Sequence, residues 1–286
     1  MTLLALALVL SSAVLHATWN LAAKRAGGGL PFIWLFTTLA NIIYTPVAAG
    51  VMLAVRPRLG VVELVFILGS SALHLVYFYF LQRGYRLGDL SLVYPLARGT
   101  GPVLATSAAI VFLGERPTPL ALAGAVLIAV SVVVLTSGGG LRAVATARAA
   151  VGYGLLTGGV IAAYTLWDKY AVSVLLISPL VYDWLNGLGR TALLTPYALR
   201  HRDQVAHEWR SHWREALTVA ILSPLAYVLV LTALVFTPVS YVAPAREISI
   251  LIATIMGARL LAEGDPGRRL IAAGGMVAGV VALALG

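Results

Sequence analysis

Ten apolar runs, most of them near twenty residues long, constrain this chain more than any other feature. They are Leu3–Ala23, Pro31–Ala54, Val61–Gln82, Leu90–Leu113, Pro119–Thr136, Ala150–Ala171, Ser178–Leu199, Ala216–Val235, Val239–Ala262 and Leu270–Leu285. A helix of that length crosses a hydrocarbon core of ~30 Å. Lipid leaves free backbone amides without partners, so a spanning segment must be a helix or part of a closed barrel. These runs are too continuous for the alternating strands of a barrel. The expected fold is therefore all-α, a polytopic membrane protein with ten transmembrane helices. Composition agrees, because only 11% of the 286 residues are charged, whereas a soluble domain carries about 25%.

The first run lacks a basic leader, is long for a signal core, and carries His16, Trp19 and Asn20 near its end. It is read as a retained helix rather than a cleaved signal. With no cysteine in the chain, disulfides, thiol nucleophiles and cysteine metal sites are excluded. The connections between runs, of which 137–149 and 200–215 are the longest, are too short for a soluble domain. Function must be built inside the bundle. A net charge of +9 would point to nucleic acid in a soluble protein. Here the basic residues lie mostly in interhelical loops, where they set orientation, and no nucleic-acid partner is expected.

Sliding the chain by about 145 to 150 positions uncovers an internal repeat. Trp19 and Lys24 fall on Tyr164 and Lys169; Trp34 and Thr45-Pro46 fall on Trp184 and Thr195-Pro196. Ser91, Val93 and Pro95 fall on Ser240, Val242 and Pro244. After a one-residue gap, Arg98, Ala105-Thr106, Leu113 and Glu115 fall on Arg246, Ala253-Thr254, Leu261 and Glu263. Chance matching of apolar residues does not produce paired arginines, each seventeen residues before a glutamate. The predicted units are residues 1–137 and 150–286, five helices each. An odd helix count makes the second unit enter the membrane from the opposite side, giving two inverted repeats. Thirteen basic residues lie in the connections after helices 1, 3, 5, 7 and 9, against four on the other face. The positive-inside rule places the thirteen in the cytoplasm and both termini outside.

Ten helices in two five-helix repeats, with His16-Ala17-Thr18-Trp19-Asn20 late in helix 1, carry a family resemblance. So do the proline-centred helix 4 running to Leu113-Gly114-Glu115 and its echo Leu261-Ala262-Glu263. The chain resembles the EamA-like proteins of the drug/metabolite transporter superfamily over nearly its whole length. The resemblance implies export or exchange of amino acids, other small metabolites or drugs, without a nucleotide or metal cofactor. Ile161 stands where a second-half histidine would match His16, so any role for His16 is asymmetric.

Inverted-repeat carriers bind substrate near the midplane, between the repeats. Arg98 and Arg246 lie roughly 10–13 Å deep along their helices, near the centre of the core. An arginine there costs about 2.5–3.5 kcal/mol on insertion scales and must meet a partner, water or substrate. Substrate contact and an internal ion pair, Arg246 with Glu247 or Asp183, are the two readings. Pro95 and Pro244 are positioned to loosen their helices. Asp183, Asn186 and Arg190 share one helical face, which serves either a site or a hydrogen-bonded seam. Trp19, Tyr77, Tyr94, Tyr164, Tyr227 and Tyr241 are candidate cavity aromatics or core. Glu247, His16, Asp183 and His74 are candidate proton carriers, the histidines because their ordinary pKa lies near 6.5. Gly124, Gly274, Gly275 and Gly279 fit close helix packing or a homodimer seam.

These features make the expected function secondary transport of a small metabolite with an anionic or zwitterionic group, such as an amino acid. The setting is a bacterial-type inner membrane, with lipid bilayer and protons as partners, and no cofactor or metal. A non-transporting scaffold or sensor would not require paired charges at midplane depth. A membrane-embedded lipid-modifying enzyme would cluster acids and histidines at one face, whereas this chain scatters them.

Overall fold

The computed structural model describes residues 1–26, 29–57, 59–87, 90–136, 148–252 and 266–286. Ten helices are formed among them: α1 Leu3–Ala26, α2 Leu30–Val55, α3 Val61–Leu87, α4 Leu90–Phe112, α5 Pro119–Thr136, α6 Arg148–Ser173, α7 Pro179–Arg200, α8 Arg202–Phe236, α9 Val239–Ala245 and α10 Pro266–Leu285. No strand occurs among the described residues. Five helices hold segments long and apolar enough to cross a membrane: Leu3–Ala23, Leu30–Val55, Val61–Leu81, Arg148–Ser173 and Arg202–Phe236.

Two elements differ from the sequence reading. The connection expected at 200–215 is helical, and α8 runs from Arg202 with non-helical dihedrals only at His212 (φ −134°, ψ 29°). Its charge and its half-exposed Trp209 and Trp213 suit a helix lying along a bilayer surface, where indole rings sit at headgroup level. The second difference lies in the ninth run, expected to be continuous over Val239–Ala262. Its helix stops at Ala245, Arg246 and Glu247 form a turn, and helix resumes over 248–252. The bonding changes there: Arg246 N–H still reaches Val242 O (3.1 Å), while Glu247 N–H reaches Pro244 O (3.0 Å), three residues back. Proline lacks an N–H and crowds the preceding turn, which weakens the helix at this point. Pro95, the matching residue of α4, sits in uninterrupted helix.

The two halves of the chain interlock. The main packings pair α4 with α6, α1 with α8, α3 with α6 and α2 with α7 and α8. Close approach rests on small residues at some crossings. A Cβ on Gly158 would strike Thr100, and one on Gly101 would lie 2.8 Å from Ile161. Gly124 and Gly279 face each other across α5 and α10, where a Cβ on Gly124 would lie 2.6 Å from Gly279 O. Gly275 backs onto Ser131, while Gly274 faces open space. Three of the four seam glycines are thus used inside the chain, between α5 and α10, rather than between chains.

The α2–α7 contact has a reciprocal pattern. Trp34 Nε1 donates to Thr195 Oγ1 (3.0 Å), and Trp184 Nε1 donates to Thr45 Oγ1 (3.1 Å). Asn41 Nδ2 donates to Thr191 Oγ1 (2.9 Å) between them. The start of each helix meets the end of the other, so the pair is antiparallel. Both chain ends lie together, with the Met1 amino group 3.4 Å from Ala284 O. At this same end Glu115 accepts from the N–H groups of Val239 (2.7 Å) and Ser240 (2.9 Å), closing the start of α9. Lys169 donates to Leu234 O (2.5 Å) and Thr237 O (3.1 Å), closing the end of α8. A carboxylate at a helix start and an ammonium at a helix end each oppose the local dipole charge.

Candidate functional site

Between the halves lies a cavity of about 90 Å³ lined from α1, α2, α3, α4, α6, α7 and α8 and by Arg246. That volume holds several waters or a compact ligand. The sequence candidates His16, Trp19, His74, Tyr77, Arg98, Tyr164, Asp183, Tyr227 and Arg246 all line it. Of the other four, three are placed elsewhere. Asn186 is buried in the α3–α7 seam, where its Nδ2 donates to Ser70 Oγ (2.6 Å) and its backbone O accepts from Ser71 Oγ (3.2 Å). Tyr241 is at the end of the bundle, its hydroxyl near Gly286 O and Thr118 N, each at 3.4 Å. Glu247 lines a second cavity beside α4 and α5. The side chain of Tyr94 lies outside the described residues.

The two midplane arginines have different surroundings. Arg98 Nε sits 3.2 Å from Glu247 Oε2, and its Nη2 donates to Ser249 Oγ (3.3 Å). It therefore joins α4 to the interrupted segment after α9, and the pair separates the central cavity from the second one. The sequence reading considered Glu247 for Arg246, but the structure gives it to Arg98. Arg246 forms no ion pair within 4 Å among the described residues and lies 5.8 Å above the ring of Tyr227. A cation over a phenol face gains about 0.5–2 kcal/mol, which leaves the guanidinium donors available to the cavity.

Aromatic rings hold the rest of the wall. His74 stacks on Tyr164 at 4.3 Å and meets Tyr227 edge-on at 5.6 Å. Tyr77 meets Tyr164 edge-on at 6.1 Å. Trp19 Nε1 donates to His16 Nδ1 at 3.3 Å, so that ring nitrogen serves as an acceptor. Asp183 faces Arg190 at 3.9 Å, both on the cavity wall. Asn41, Tyr44, Trp184 and Arg190 add further polar and aromatic groups to the lining. Sequence periodicity placed Arg190 on a polar face that serves either a site or a seam, and the structure brings it to the cavity wall.

One residue escaped the sequence reading altogether. Asp168 is fully buried and accepts from the hydroxyls of Tyr182 (2.7 Å) and Tyr227. It lies late in an apolar run, next to Lys169, and so passes for the charged edge of a span. An acid inside a span, with tyrosines on two other helices, was the available signal.

This ten-helix arrangement, with its cavity between halves, has known counterparts. Residues 3–137 match the model of the EamA-like transporter family. Over these residues the chain is similar to an EamA-like unit. A solved crystal structure of another protein superposes with a TM-score of 0.75 at 18% identity, covering 98% of this chain and 96% of that one. The shared fold extends beyond the residues that match the family model. No curated protein matches the sequence. The EamA-like match and the five helices long and apolar enough to cross a membrane together suggest an integral membrane protein of the transporter type.

Proposed function

We propose that the protein is a secondary carrier in the cell membrane that exports or exchanges a small metabolite by alternating access. The substrate carries an anionic or zwitterionic group, as amino acids do. The observation that carries this reading is Arg246, a guanidinium on the wall of a cavity between the halves, with no carboxylate within 4 Å among the described residues. Its planar fork suits two oxygens of one carboxylate or phosphate. Tyr77, Tyr164, Trp19 and Trp184 would hold the body of the ligand.

The mechanism draws on the repeat. Trp34 and Trp184, matched in sequence, each donate to the threonine that matches the other's partner. This exchange is what a two-fold axis across the antiparallel α2–α7 pair produces. The packings α1 with α8 and α3 with α6 are likewise exchanged by the repeat. Such an axis lies in the membrane plane and makes the halves inverted, so each can take the other's role when access switches. Arg98 and Glu247 would hold the halves in register, and Arg246 would take the anion.

Counterflow in liposomes tests the reading. Purified protein is loaded with one unlabelled metabolite at a time and offered the labelled form, over a panel of amino acids, carboxylates, phosphonates, amines and neutral sugars. Saturable exchange should appear for an anionic or zwitterionic member. Exchange of amines or sugars alone would overturn the substrate class, and no exchange of any member would overturn the carrier.

A further inference from the structure

Three acids are buried within the spans described, and their surroundings differ. Glu247 faces Arg98 at 3.2 Å and Asp183 faces Arg190 at 3.9 Å. Asp168 has no cation within 4 Å among the described residues, and its two carboxylate oxygens are taken by phenols. Tyr182 donates to Oδ1 and Tyr227 to Oδ2. An acid buried within a span is rare and by default functional, and this one is held by hydrogen bonds alone. Tyr227 also lines the central cavity, lies beneath Arg246 and touches His74 edge-on. A single hydroxyl thus stands between the acid and the place where the anion is expected.

We propose that Asp168 is the proton-carrying site of this carrier and that Tyr227 couples it to the central cavity. The inference rests on the carrier reading above. When Asp168 is ionised, the Tyr227 hydroxyl hydrogen is committed to Oδ2 and turned away from the cavity. A proton reaching Oδ2 makes the acid a donor, so its O–H points to the phenol oxygen. Tyr227 then turns its own hydrogen into the cavity, beside Arg246. The bond formed is the acid O–H and the bond broken is an O–H of hydronium in the cavity, which is left as water. Protonation adds a donor for the substrate anion and removes the negative charge behind it. Linkage requires the converse, so a bound anion favours the protonated acid by the same factor; proton and anion then cross together, which serves the exchange arm of the carrier reading.

The groups around Asp168 support this direction of access. His74 comes from α3, Tyr182 and Asp183 from α7, Tyr227 from α8, and Tyr164 from its own helix. Lys169, its neighbour in sequence, turns instead to the carbonyls at the end of α8. On α4, Arg98 is engaged by Glu247 and Ser249. Tyr227 thus connects Asp168 to the cavity wall.

Infrared titration of the protein in lipid, with the proton itself as the ligand, tests the assignment. Acidification should raise a protonated-carboxyl band that is lost in Asp168→Asn and shifted in Tyr227→Phe, which removes one hydrogen bond to the acid. Should the asparagine variant fail to fold, Asp168→Glu and Tyr227→Phe decide, each expected to shift the band and its midpoint. A band and midpoint unchanged by the substitutions that fold overturn the proposal. The counterflow panel separates the two readings. If no panel member exchanges, the carrier reading fails whatever the infrared result. If Asp168→Asn still drives concentrative transport like the parent, Asp168 is not the coupling site and the carrier reading survives.

Discussion

Arg98 and Arg246 occupy matched sequence positions, yet one is committed to a carboxylate and the other is open to the cavity. The difference comes from the following residue, Gly99 in one half and Glu247 in the other. Removing one member of a buried ion pair strands its partner and costs about 3–5 kcal/mol. Arg98→Gln and Glu247→Gln should each lower the thermal midpoint of unfolding in detergent, and the double variant should lose less than their sum. Strict additivity would show that the pair is not coupled. Arg246→Lys keeps the charge and loses the fork. Its expected outcome is normal abundance with at least a tenfold higher half-saturation in counterflow, and an unchanged value would remove Arg246 from the site. Sequence depth made both arginines legible, because burial of a charge in lipid demands a reason. It did not say which had a partner, since that depends on a contact between residues 149 positions apart in the chain. Asp168 was hidden for a related cause: its partners Tyr182 and Tyr227 come from α7 and α8.

The helices themselves were mostly legible, since continuous apolar runs in lipid leave the backbone one economical conformation. The exceptions mark places where local chemistry overrides hydropathy. Residues 202–211 are too polar to span, yet they coil as a surface helix with Trp209 on its flank. In the ninth run the apolar pattern continues, but Pro244 and the charged pair after it interrupt the helix. Glycines in α5 and α10 signalled close packing without naming the partner, and the partner proved to be each other's helix. The α2–α7 contact supports a prediction at this scale. A hydrogen bond between membrane helices contributes about 0.6 kcal/mol on average. Trp34→Phe and Trp184→Phe, which retain most of the ring area, should each destabilise by a similar small amount in equilibrium unfolding. Unequal losses, several-fold apart, would argue that the two contacts are not equivalent.

For the whole molecule, the joined chain ends fit an even number of crossings, and the charge bias between faces predicts that both lie outside. Because the chain has no native cysteine, single cysteines report cleanly. On intact cells an impermeant thiol reagent should label Gly286→Cys and leave His207→Cys untouched. Labelling at 207 alone would reverse the orientation. The Arg98–Glu247 pair also bears on how such a chain could have arisen. On the duplication reading, an ancestor of one half would have paired with an inverted copy of itself. Two present-day first halves joined that way would bring two Arg98 side chains to the interface, with Gly99 opposite each and no acid to receive them. The acid exists only in the second half, so the halves are no longer interchangeable. Copies of the first half alone cannot rebuild the charge balance of the pair, whereas copies of the second would pair both arginines and leave none open to the cavity.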